Sequence, residues 1–147
     1  MPEPVIALSV KQPWAALLAA GRKTIEIRTW PTRRRGRVFI HASKRPDPRP
    51  EGWSQIDTPL LAELAQLRGG LIGVGRLVEC RHFATRDAFA AAAPWHCNSA
   101  DWFVPTGLYG FVFHDLHPIA YHACPGQTLF FPVEGFCAHE THDGTVD

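Results

Sequence analysis

Short runs rich in β-branched and aromatic residues recur along this chain, most of them flanked by glycine or proline. VIALSV (5–10), KTIEIRTW (23–30), RVFIHAS (37–43), GLIGVGRLVEC (70–80), LYGFVF (108–113), HPIAYHA (117–123) and TLFFPV (128–133) each read as a strand. Between the first two lies KQPWAALLAAG, with Pro13 at a helix start, Gly21 at its end, and Trp14, Leu17 and Leu18 spaced as one buried face. DTPLLAELAQLRGG predicts a second helix capped by Thr58 and opened by Pro59, and TRDAFAAAA a short third one capped by Thr85. Helices cluster early and strands late. This pattern predicts an α+β domain built around a curled, mostly antiparallel sheet, with barrel closure compatible with so many short strands. KRPDPRPEGWSQI (44–56) has three prolines and a glycine and reads as a loop or lid, and PWHCNSADWFVPTG as irregular. One domain is expected over 1–135, with 136–147 a polar tail.

A length of 147 residues, 46% hydrophobic and 20% charged, suits a single soluble domain with its own core. No run has membrane-spanning length and the start lacks a secretory signature, so a cytoplasmic protein that binds no membrane is expected. Cys80, Cys97, Cys124 and Cys137 form no Cys-x-x-Cys pair and read as buried reduced thiols. A near-neutral total hides a strong asymmetry. Residues 1–50 carry eleven Lys or Arg against three Asp or Glu, and residues 51–147 carry four against eleven. Either the two parts neutralise one another across the fold, or the first third meets a polyanion.

Two stretches carry candidate chemistry. In GRKTIEIRTW an ideal strand puts Ile25 and Ile27 on one face and Glu26 and Arg28 on the other. Lys23 falls on the isoleucine side, its stem on the core and its amine at the rim, where desolvation makes a lysine a usable base, nucleophile or anion clamp. A bulge at Thr24 would gather Lys23, Glu26 and Arg28 at one cleft mouth; otherwise they are solvated surface charges. The second stretch is the basic turn of Arg33, Arg34, Arg35 and Arg37, with Trp30 before it and Lys44 after the next strand. Basic residues interleaved with aromatics suit phosphate contacts and base stacking on a single strand. His114, His117, His122, Cys124, Cys137, His139 and His142 approach metal-ligand spacings without matching a motif, so no metal and no cofactor is expected. No Gly-rich phosphate loop or nucleophile elbow is present.

With these residues in view, the chain resembles the ASCH family, which is related to the PUA RNA-binding fold. The resemblance rests on ALSVKQPWAALLAAGRKTIEIRTWPTRRRGRVFIHASK, on GLIGVGRLVE, and on GLYGFVF with PGQTLFF, in the family's order over roughly 5–135. Its most specific part is Gly-x-Lys-x-x-Glu-x-Arg after a Pro-Trp helix, carried by Gly21, Lys23, Glu26 and Arg28. It implies a PUA-like β-barrel and a polar cleft lined by Lys11, Trp14, Lys23, Glu26, Arg28 and Ser43. It also implies a single-stranded RNA, nucleotide or modified nucleoside as partner. One family branch hydrolyses N4-acetylcytidine with a lysine, a threonine and a glutamate, and some relatives are ribonucleases. Lys23 matches that lysine, Glu26 stands where the branch has its second threonine, and Glu79 is the nearest match to its glutamate. Two readings follow. The first is a nucleic-acid or nucleoside binder. The alternative is a small hydrolase, an amidohydrolase or ribonuclease using Lys23 and Glu26, with His41 as a further acid–base candidate.

Overall fold

The first strand, β1 (Val5–Val10), runs straight into a helix without a side-chain cap of the usual kind. Gln12 does that work instead. Its Oε1 accepts from the Ala16 amide at 2.9 Å, while its Nε2 donates to the carbonyls of Leu64 and Leu67. One buried amide thus satisfies an orphan helix donor and ties α1 (Trp14–Ala19) to α3 (Pro59–Ala65). The helix stops at Gly21, whose φ of +78° is open to glycine at little cost. The computed structural model describes residues 5–136; of the expected tail only Phe136 is described, and 137–147, with Cys137, His139 and His142, lie outside the described residues.

β2 (Ile25–Arg28), β3 (Gly36–Ala42), α2 (Pro50–Trp53), β4 (Gly70–Phe83), α4 (Arg86–Ala91), α5 (Ala93–His96), β5 (Leu108–Ala123) and β6 (Phe130–Val133) complete the regular elements, with a 3₁₀ turn at Ala100–Trp102. The predicted caps hold: Thr58 accepts from the Leu61 amide and Thr85 from that of Ala88. Three expectations change: the 44–56 segment, read as a loop or lid, holds the helical turn α2. The segments 108–113 and 117–123 form one strand, in which two β4 residues, Arg76 and Val74, pair with His114 and His117. Asp115, at φ 59°, absorbs the extra residue, so the polar HDLH stretch is a bulge and no strand end. The irregular segment after α4 also holds the single helical turn α5 and the 3₁₀ turn.

The sheet runs β2-β5-β4-β3-β1-β6, antiparallel except for the parallel pair β1 and β3. It curls around α1, whose six residues are all buried. Gly73 permits this approach, since a Cβ there would sit 2.6 Å from that of Ala19. β2 and β6 end the ladder unpaired with each other, and side chains bridge the opening instead. Arg28 of β2 donates to the Ser9 carbonyl of β1 at 2.8 Å, and Trp30 packs edge-on against Phe111 and Phe130. The architecture is a half-barrel whose seam is side-chain chemistry. Phe136 belongs to its core, against Phe39. No helix among the described residues is long and apolar enough to cross a membrane.

Candidate functional site

The seam opens into a cleft of about 760 Å³. Its floor begins with the turn from α1 to β2. Because β2 starts only at Ile25, Lys23 precedes the strand and is free of its alternation. The expected placement at the rim therefore fails: the lysine is 1% exposed and its ammonium is at the cleft's base. Nζ donates to the His96 carbonyl at 2.5 Å and to Asn98 Oδ1 at 2.8 Å, with Glu26 Oε1 at 3.7 Å and the Trp14 ring 5.1 Å below. Burial pushes its pKa down, and the Glu26 charge opposes that shift. With three acceptors around three N–H bonds, the amine acts as a cation that positions Glu26.

Glu26 in turn receives Arg28, whose Nε and Nη2 both reach Oε2 at 3.1 and 3.0 Å. Arg28 Nη1 has no protein partner among the described residues. Lys23, Glu26 and Arg28 are thus one chain of charge, buried at Lys23 and Glu26 and half-buried at Arg28. Such a network costs desolvation, so its stabilising value is small beside the geometry it holds.

A wall of the cleft comes from the Pro-rich 44–56 segment. Asp47 is 3% exposed and accepts from Trp14 Nε1 at 2.9 Å, from the Arg49 amide at 3.0 Å, and from the Arg49 guanidinium at 2.7 Å. The Arg49 bond first, and then that of Trp14, hold its carboxyl well below the usual carboxylate range against the opposing effect of burial. Arg49 also lies 3.9 Å over the Trp102 ring, which meets Trp14 edge-on, and Trp102 donates to Glu51. Across the cleft, His41 bonds Ser9 Oγ through Nδ1 and the Cys124 carbonyl through Nε2.

Of the residues expected in the cleft, Lys11, Trp14, Lys23, Glu26, Arg28 and Ser43 all line it, joined by Trp30 and Lys44 from the basic set. Arg33, Arg34, Arg35 and Arg37 do not. They stay exposed on and beside the turn into β3, although Arg34 reaches the Phe130 ring, against which Trp30 packs. Glu79 is away from the cleft: it is exposed on β4 and faces Arg81 at 4.0 Å, so no contact links it to Lys23. The described His and Cys residues form no metal-binding group. Cys80, Cys97 and Cys124 are free thiols, half-buried where buried ones were expected.

Sequence reasoning missed Asp47, Arg49, Asn98, Trp102 and Ser9. Asp47 had a signal, as the lone acid after Glu26 in a basic third and set between prolines. Asn98 and Trp102 had none, because they sit in a segment without periodicity.

The ASCH domain family matches residues 8–115. A 42-residue stretch is 55% identical to activating signal cointegrator 1 of Homo sapiens and to that of Mus musculus, over 28% of this chain and 7% of those proteins. The chain therefore spans only a small part of these relatives. Crystal structures of ASCH from Zymomonas mobilis share the fold at 17% identity. One mutant form superposes with a TM-score of 0.61 over 92% of both chains, and another ASCH structure from that organism with 0.57 over 90% of this chain and 89% of the other.

Proposed function

The chain belongs to the ASCH domain family, and from that premise we propose that its cleft receives a nucleobase or nucleoside, carried most naturally on single-stranded RNA. The observation that carries this reading is an ion network and a partly open indole in one cleft, with a basic turn exposed beside that indole. Trp30 offers a stacking surface, and Glu26 Oε1 with Arg28 Nη1 offers an acceptor beside a donor for the polar edge of a base. A volume of about 760 Å³ suits a ligand of nucleoside size. Arg33, Arg34, Arg35 and Arg37, exposed beside Trp30, would hold the phosphates that follow the seated base.

The two parts separate in one experiment. Anisotropy titrations with short single-stranded RNAs across a salt series compare the wild-type protein with Arg33→Ala/Arg34→Ala/Arg35→Ala and with Glu26→Gln. The triple variant is expected to bind more weakly and to lose about 2 from the slope of log K on log salt, at roughly 0.7 per phosphate contact. Glu26→Gln is expected to change base preference with the slope intact. Equal affinity and slope in the triple variant sink the reading.

A further inference from the structure

Ser9 and His41 are opposite one another in the parallel pairing of β1 and β3, so their side chains leave the sheet on one face and enter the cleft together. Ser9 Oγ is 3.1 Å from His41 Nδ1. The other ring nitrogen, Nε2, is 2.8 Å from the Cys124 carbonyl. A carbonyl only accepts, so Nε2 carries the proton and Nδ1 of the neutral ring is left as an acceptor for the serine hydroxyl. That is the relation of a nucleophile to its base, with a third group fixing tautomer and ring orientation. The imidazole is 1% exposed, whereas Ser9 is half-open to the cleft.

A second observation concerns the space above the pair. Gly126 lies directly over it: a Cβ at that position would come 2.7 Å from His41 Cε1 and 3.1 Å from Ser9 Oγ. The glycine does not have a positive φ, so its lack of a side chain serves the close approach of this backbone to the pair and not backbone shape. Arg28 donates to the Ser9 carbonyl and has Nη1 uncommitted in the same cleft, a cation available to a developing oxyanion.

We propose that Ser9 is a nucleophile activated by His41, and that the cleft hydrolyses a small carboxylic ester carried by a nucleoside. The nucleoside part of this proposal rests on the binding reading above; the dyad does not. Ester is preferred to amide because the His41 ring is held by a backbone carbonyl where a carboxylate would better stabilise the imidazolium. A dyad of that kind suits an alkoxide leaving group more than an amine. As the Oγ–C bond forms, the Ser9 proton passes to His41 Nδ1. The ester C–O bond then breaks, the leaving oxygen takes that proton, and an acyl-serine remains. Water attacks the acyl carbon and gives its proton to His41, the C–Oγ bond breaks, and Oγ recovers the proton as the carboxylic acid departs.

The test uses p-nitrophenyl acetate with the full chain, intact-mass analysis and peptide mapping, alongside single-stranded RNA titrations on the same samples. The expected result is a burst of nitrophenolate and one acetyl group mapped to the Ser9 peptide. The adduct should be absent in Ser9→Ala, and its rate should fall at least tenfold in His41→Gln and in Gly126→Val. An unacetylated Ser9 in the folded wild-type protein overturns the dyad, whatever the variants do, and leaves RNA binding to stand on its own. Acetylation of Ser9 at an unchanged rate in His41→Gln overturns the base assignment. Acetylation that needs both residues, in a protein that binds no RNA, supports the dyad and overturns the nucleic-acid reading.

Discussion

The cleft floor and the basic turn are both rich in charge, yet they are built in opposite ways. On the floor, Lys23 and Glu26 are buried, and Lys23 is bonded to His96 and Asn98 from a distant segment while Glu26 lies between Lys23 and Arg28. On the turn, Arg33, Arg34 and Arg35 are exposed, and Arg35 bonds only to carbonyls within three residues of itself. Removing solvent makes the floor rigid in geometry and costly to alter, because every orphaned group stays buried. The turn keeps its solvation and acts through net charge over a Debye length. The first arrangement can discriminate between ligands. The second can gather them.

The largest break in this contrast is Lys23→Met. It strands Glu26, Asn98 Oδ1 and the His96 carbonyl without the ammonium. A loss of about 3–5 kcal/mol in stability is expected, read as a fall in the urea midpoint at constant m-value. A loss below about 1 kcal/mol would mean that the floor is far wetter than its burial implies.

Asp47→Asn is next. Asp47 keeps Trp14, Trp53 and Arg49 in one wall through its carboxylate and its backbone carbonyl, so the amide should cost about 1–3 kcal/mol. The sign with pH follows from its depressed pKa. The stabilisation is fully present above the ordinary value of 3.8 and is lost as pH falls below it, toward the folded value. Acid titration of wild type and variant should therefore converge at low pH. Curves that stay parallel down the acid limb would remove Asp47 from that role.

Trp30→Ala tests discrimination. A stacked base contributes about 1–3 kcal/mol, so RNA affinity should fall by roughly tenfold or more. Trp30 also packs on Phe111 and Phe130, so a melting curve run beside the titration separates loss of stacking from loss of the seam. The smallest effect on the fold belongs to the triple arginine variant, whose stability should stay within about 0.5 kcal/mol of wild type while its RNA affinity drops. A large destabilisation there would show the turn to be structural, and the contrast with the floor would collapse.

Much of this was legible in the chain itself. VIALSV, the helix opened by Pro13 and closed before Gly21, and the Thr58 and Thr85 caps each depend on residues within a turn or two of one another. Sterics and hydrogen bonding at that range are written directly in the order of residues. The six residues that the resemblance placed in the cleft, and Trp30 and Lys44 of the basic set that join them, all fall in residues 11–44, for the same reason. Lys23 marks the limit. Its membership in the site was legible, but its depth was not, because depth depends on where β2 begins and on a carbonyl and an amide 73 and 75 residues away.

Charge excess and caps are local properties, so composition and spacing determined the α+β class, the first helix and the basic turn. The curl of the sheet is a sum of many non-local pairings. Only that curl brought β2 to β1 through Arg28 and Ser9, set His41 beside a carbonyl 83 residues later, and made separate polar residues into one cleft.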